Sequence, residues 1–184
     1  MKKIIALLLI AVSFSGCEKD DICVDETTPR LIIEFYDISN PSTLKNVVNL
    51  TAKADGADDP IVFDPNLLVD DPNRFLFNGN KLELPLKTDI DPNGNSTLTR
   101  YHLVLNSTST TASNEDILEF RYIPQNAFVS RACGYKTIFQ LNSPGGVLSV
   151  DPVAPDTQWI NQLNINIQKY SIVTEDETHI KIYF

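Results

Sequence analysis

The residues best spaced for chemistry form the stretch Asp89-Ile90-Asp91-Pro92-Asn93-Gly94-Asn95. Side-chain oxygens stand at its first, third, fifth and seventh places and a glycine at the sixth, the spacing with which a calcium loop begins. The twelfth place, where a bidentate glutamate closes such a shell, is Arg100, whose charge repels the ion. With no helical pattern on either side, the stretch reads as a turn between strands. Calcium held by Asp89, Asp91 and Asn93 is the minor alternative, and no other cofactor is expected.

The two histidines, His102 and His179, fall on the polar parity of their runs, opposite the aliphatic positions, and are expected at the surface. A hydrolytic triad would need a nucleophile and a carboxylate converging on one of them. None of the patterns G-x-S-x-G, H-E-x-x-H or a Gly-rich phosphate loop occurs. Zinc is disfavoured too, because the available cysteines suit another role. Trp159, the single tryptophan, is expected in the core, where its large apolar area contributes most. Its alternative is an exposed platform for stacking sugars. The triplets at Asn49, Asn95 and Asn106 fit the glycosylation pattern but imply nothing if the source is bacterial.

The N-terminus says where such residues would work. Lys2 and Lys3 precede a largely apolar run from Ile4 to Phe14, followed by the small Ser15-Gly16. That is the build of a secretory signal peptide, and it is too short for a membrane-spanning helix of roughly 20 apolar residues. Gly16-Cys17 resembles the bacterial lipobox, in which the cysteine is acylated and becomes the first residue of the mature protein. Phe14 departs from it, standing where Leu, Val or Ile is usual. Glu18-Lys19-Asp20-Asp21 resembles the acidic export signal behind the lipidated cysteine of Bacteroidota surface lipoproteins; the alternative is a plain solvated tether. Residues 1–16 are therefore expected to be removed, 17–29 to form the lipidated N-terminus and tether, and 30–184 to fold. The expected place is the outer membrane, on the cell surface, with the bilayer as partner through acylated Cys17.

Loss of Lys2 and Lys3 leaves 13 basic against 24 acidic residues, a net charge of −11 on 168 residues. Such a surface repels nucleic acid and anionic headgroups. The acids are scattered through loops, among them Asp55, Asp58, Asp59, Asp64, Asp70 and Asp71, which suggests general solubility. With Cys17 acylated, Cys23 and Cys133 remain in an oxidising compartment, and a disulfide is expected between them. Two buried thiols are the alternative. If bonded, the pair leaves only Glu18 to Ile22 between lipid and fold, at most ~18 Å of extended chain.

The elements that must position these groups follow a period of two, the mark of strands with one face buried. It is clean in Leu31-Ile32-Ile33-Glu34-Phe35-Tyr36, Leu82 to Lys87, Tyr101 to Leu105, Ile160 to Ile167 and Ile180 to Phe184. Further strands are expected at 44–53, 61–63, 74–77, 117–123 and 135–141, and a short helix at 156–163. Asp-Pro steps at 59–60, 64–65, 71–72, 91–92 and 151–152 mark turns. Pro85 places the 81–87 strand at an edge or bulge. The pattern predicts one all-β domain, an antiparallel β-sandwich of immunoglobulin-like or related type.

Phe128-Val129-Ser130-Arg131-Ala132-Cys133-Gly134-Tyr135, with Cys17 to Cys23 and Leu31 to Asp37, resembles an uncharacterised family of Bacteroidota lipoproteins. The resemblance implies a strand-rich body with paired cysteines over the whole mature chain, and no activity. The leading expectation is thus a tethered, non-catalytic module that binds or scaffolds an envelope protein partner. The alternatives are an envelope hydrolase or glycan-handling protein with a site built from distant loops, and a calcium-stabilised exported module.

Overall fold

In the computed structural model, the described residues are 23, 28–152, 157–165 and 170–184. Alternation sets the first strand, β1 (Leu31–Asp37): Leu31, Ile33 and Phe35 are wholly buried on one side. It is followed by β2 (Asn40–Leu44), β3 (Val47–Ala54), a 3-10 turn at Pro72–Phe75, β4 (Phe77–Gly79) and β5 (Lys81–Leu84). Then come β6 (Thr97–Leu105), β7 (Asn114–Ser130), β8 (Gly134–Leu141), β9 (Val147–Val150), β10 (Gln162–Ile165), β11 (Ser171–Ile172) and β12 (Ile180–Tyr183).

These strands make two sheets packed face to face, a β-sandwich. In the smaller sheet β1 is central: β12 lies on one side with β10 beyond it, while β5 and then β2 occupy the other. The larger sheet runs β11-β8-β7-β6-β3-β4, with β9 against the early part of β7. Inward residues of both sheets fill the core, among them Leu82, Leu84, Ile180 and Ile182 from one and Leu50, Leu103, Leu118, Phe120 and Phe139 from the other. Every pairing is antiparallel except that of β1 with β12, where Ile33 stands beside Ile180. A parallel neighbour cannot be reached by a tight hairpin, so the rest of the sandwich lies between these two strands in the chain.

Several expected elements differ. Residues 61–63 form no strand; Ile61 and Phe63 donate singly to the carbonyls of Ala52 and Arg74. The 74–77 run begins as the 3-10 turn, because the Asp71 carboxylate accepts from Asn73 N and Pro72 suits a first turn. The helix expected at 156–163 is absent from its described part, where 157–161 is irregular and β10 follows. β5 stops before Pro85, as its ring requires. Beyond it, two buried hydroxyls hold the chain: Tyr101 donates to Pro85 O, and Tyr122 accepts from Lys87 N at 2.7 Å.

The largest difference is β7. It was expected to stop at residue 123 and instead runs seven residues further, through Pro124. Arg121 bonds towards β8 and β9, through Gly146 O and Asn142 N, so Pro124, of opposite parity, turns its missing N–H towards the β6 side. β6 has already ended there, its last partner being Tyr122. Proline therefore costs no ladder bond. From that point β7 and β8 form an arm, and among the described residues no third strand lies beside β7.

Candidate functional site

Of the polar clusters, the richest in chemistry lies on the outer face of the larger sheet. The odd-to-even alternation that buries Ala52, Leu103 and Asp116 turns Lys53, His102 and Glu115 outward. With Thr51, Val104 and Asp55 they line an open groove of ≈ 500 Å³. His102 Nε2 lies 2.8 Å from Asp55 Oδ1, and its Nδ1 bonds Glu115 Oε1 across the β6–β7 diagonal. Beside it, Arg100 donates to Glu119, directly opposite in register, and its second arm faces Asp55 at 3.7 Å.

Two carboxylates on one imidazole require two N–H donors, so the geometry selects the imidazolium. The His102 pKa is accordingly raised, first by the Glu115 hydrogen bond, against a smaller opposing effect of burial. Both ring nitrogens are thereby occupied, and neither is placed to accept a proton from a nucleophile, as general-base work demands. The cluster is an ion-pair network that ties β3, β6 and β7 together at the surface.

His179 corrects the expectation of a surface residue: it is wholly buried. Its Nδ1 accepts from Ile32 N at 2.8 Å, and its Nε2 donates to Thr174 O at 3.0 Å, the bonding of a neutral ring. Its own N–H bonds Ile32 O, so one residue satisfies both backbone groups of Ile32. Burial pushes its pKa down.

The two histidines therefore act in opposite senses on stability. His102, with its folded value raised, contributes stability below the unfolded value of 6.5 and loses it as pH rises through the folded value. His179, with its folded value depressed, contributes nothing below its folded value, and stability falls as pH drops below 6.5, by up to about 1.4 kcal/mol per pH unit. Urea midpoints taken between about pH 5 and 8 should show a crest near the ordinary histidine value. His102→Gln should remove the alkaline decline and spare the acid one. A decline of equal steepness in that variant would show that the network does not hold a proton.

Asp91 closes its own loop. Its carboxylate accepts from Asn93 N at 2.7 Å and Asn95 Nδ2 at 2.9 Å, while Gly94, at φ +73°, bonds Asp91 O. These bonds hold its pKa below the usual carboxylate range, the Asn93 amide foremost. This is a self-satisfied turn, and Arg100 is committed to Glu119. Among the described residues no group of three His, Cys, Asp or Glu side chains stands together as a metal-ligand set.

Trp159 is in the core, 6% exposed, which excludes it as a sugar platform. Its ring meets Phe184 edge-on at 5.7 Å and Phe35 at 6.2 Å, and Nε1 donates to Leu103 O. Asp116, wholly buried, accepts from Ile160 N at 2.7 Å and so anchors the Trp159 segment to β7. Its even parity with Leu118 and Phe120 was the signal that would have found it.

Cys23 and Cys133 form a disulfide, with Cα atoms 4.9 Å apart and a separation of 110 positions in sequence. Cys133 lies in the turn at the tip of the β7–β8 arm, where Gly134 takes φ +71°. The expected signal peptide, Cys17 and Glu18, Lys19, Asp20 and Asp21 lie outside the described residues. Among the described residues no helix is long and apolar enough to cross a membrane.

A family model, described as a family of unknown function (DUF6452), matches residues 49–184. The match leaves out Cys17 to Cys23 and β1, although β1 is the central strand of the smaller sheet. No curated protein and no solved structure gives a match.

Proposed function

Because the chain belongs to this family of unknown function, DUF6452, its role has to come from its own residues, and we propose that it is a lipid-anchored envelope protein serving as a non-catalytic binding or scaffolding module. The observation that carries this reading is Gly16-Cys17 at the end of a basic-then-apolar leader, the arrangement of a bacterial lipoprotein. The Cys23–Cys133 disulfide supports it, since such bonds persist in oxidising compartments and are rare in the cytosol. Acyl chains on Cys17 would hold the protein through about 0.8 kcal/mol per buried methylene, and more than one chain makes release slow. The charges of Glu18 to Asp21 favour a Bacteroidota-type outward-facing position.

A module that binds needs accessible surface, and two edges supply it. All five residues of β2 are exposed, and among the described residues β7 beyond Pro124 has no strand on its β6 side. Both offer unpaired backbone groups to an extended partner segment.

Cys17→Ala is the test. The variant should move from the membrane to the soluble fraction, and the acylated N-terminal peptide should vanish from its mass spectrum. A variant that stays with the membrane after carbonate washing would rule out the anchor. Alanine replacements at Glu18, Asp20 and Asp21 should reduce digestion by protease added to intact cells, if those charges direct outward export.

A further inference from the structure

The inward face of the larger sheet does not stop where the core stops. Along the β7–β8 register, Tyr122 stands opposite Leu141 and Pro124 opposite Phe139, all buried, then Asn126 opposite Thr137, then Phe128 opposite Tyr135. The last pair shares the parity of the core residues yet lies outside the core cluster. Phe128 is 60% exposed and Tyr135 70%, with their rings edge to face at 5.5 Å. Two large aromatic rings turned to solvent on a core-facing parity call for something to cover them.

Two further features say what does. The first is charge. Between Glu119 and Asp151 the chain has no acidic residue, although acids outnumber bases in the whole by nine; its charges there are Arg121, Arg131 and Lys136. Arg131 is exposed at the tip itself, while Lys136 donates to Val173 O. The other strongly exposed apolar pair, Leu68 and Val69, lies between Asp64 and Asp70-Asp71 and has the opposite character. The second feature is distance. The disulfide fixes the tip to Cys23, and only Glu18 to Ile22 separate Cys23 from Cys17, at most ~18 Å of extended chain.

We propose that the tip of the β7–β8 arm, with Phe128, Tyr135 and Arg131, rests in the headgroup interface of the bilayer that holds Cys17. A tyrosine ring with its polar edge favours that depth, the Phe128 ring adds apolar area beside it, and an arginine reaches phosphate there while its stem stays apolar. The arm's own residues, free of acid between Glu119 and Asp151, can approach lipid phosphates that repel the rest of the molecule, the acids Asp20, Asp21, Asp25 and Glu26 around Cys23 included. Anchor and tip then form two contacts with the bilayer, and the sandwich stands in a fixed attitude over the membrane. The inference rests on the anchor proposed above.

The test uses the full-length lipidated protein in vesicles of neutral and of partly anionic lipid. Flotation reports the anchor, and fluorescence reports the tip. Native Trp159 is buried and serves as the internal reference. In Tyr135→Trp the added emission should shift to the blue on vesicle binding and be quenched by lipids brominated along the upper acyl chain, with wild type unchanged. Arg131→Glu in that background should weaken the quenching on anionic vesicles. Wild type that does not float would overturn the anchor and this inference with it. Floating protein whose tip indole keeps the emission of water and escapes the brominated lipid would overturn the tip contact alone. Shielding from acrylamide in native membranes but not in protein-free vesicles would assign the tip to a protein and also overturn it.

Discussion

Replacing Cys133 with alanine is expected to lower the free energy of unfolding by about 4–5 kcal/mol, the chain-entropy value for so long a loop. The bond joins residues 110 apart, so its loss frees most of the domain's unfolded chain. For a domain of this size each kcal/mol moves the midpoint by about 2–4 °C, and a fall of roughly 10–15 °C should follow. Cys23→Ala should match it, and the double variant should be no worse than either single one, since one bond is removed in all three. The effect should be local before it is global. Beyond Pro124 the arm has only β8 beside it, and Thr137 N bonds Thr28 Oγ1 in the segment that follows Cys23. Amides of residues 126–137 should therefore exchange faster at temperatures where the sandwich stays intact. Equal midpoints for wild type and double variant, with both wild-type thiols open to maleimide, would show that the bond does not form.

Trp159→Ala should cost about 3–5 kcal/mol, in the range for truncating a buried aromatic side chain. The indole lies between Phe35 of β1 and Phe184 beyond β12, and it also bonds Leu103 O on β6 of the facing sheet. Removing it opens a cavity at the point where both sheets meet and takes one donor away from that carbonyl. Trp159→Phe should recover more than half of the loss, because the ring contacts remain while the N–H does not. The denaturant midpoint should move at constant m. A change of under about 1 kcal/mol, the usual size for surface positions, would mean that the indole does not bridge the sheets.

The period of two located β1, β6 and β12 because each has one buried face and one wet one, so burial is written into residue type. Trp159 was legible for the same reason, through its area. Counting cysteines led to Cys23 and Cys133, which the structure joins. β2 was not legible: Asn40 to Leu44 is exposed throughout, so no alternation marks it, and only its pairing with the end of β1 makes it a strand. The strand expected at 117–123 runs on through Pro124 as β7, because that residue's missing donor faces the side where β6 has stopped. The Asp55–His102–Glu115 cluster depends on the register of three strands, which residue types alone do not set. His179 is buried because it meets the backbone of Ile32, 147 residues earlier. Nothing local to either residue announces that meeting.

That same juncture governs how the molecule comes into being. β1 is among the first strands to be made, and its parallel neighbour β12 is the last of those described. Until residues 180–183 exist, the central strand of the smaller sheet has one side unpaired and Ile32 lacks His179. Contacts so distant in sequence form late and slowly, since the closure entropy must be overcome before the pairing returns anything. A chain built this way stays incompletely folded until β12 has been made. If the chain is threaded across a membrane before it folds, as proposed above, that delay would keep it fit for translocation, and the closing of β12 onto β1 would become an event of the far side.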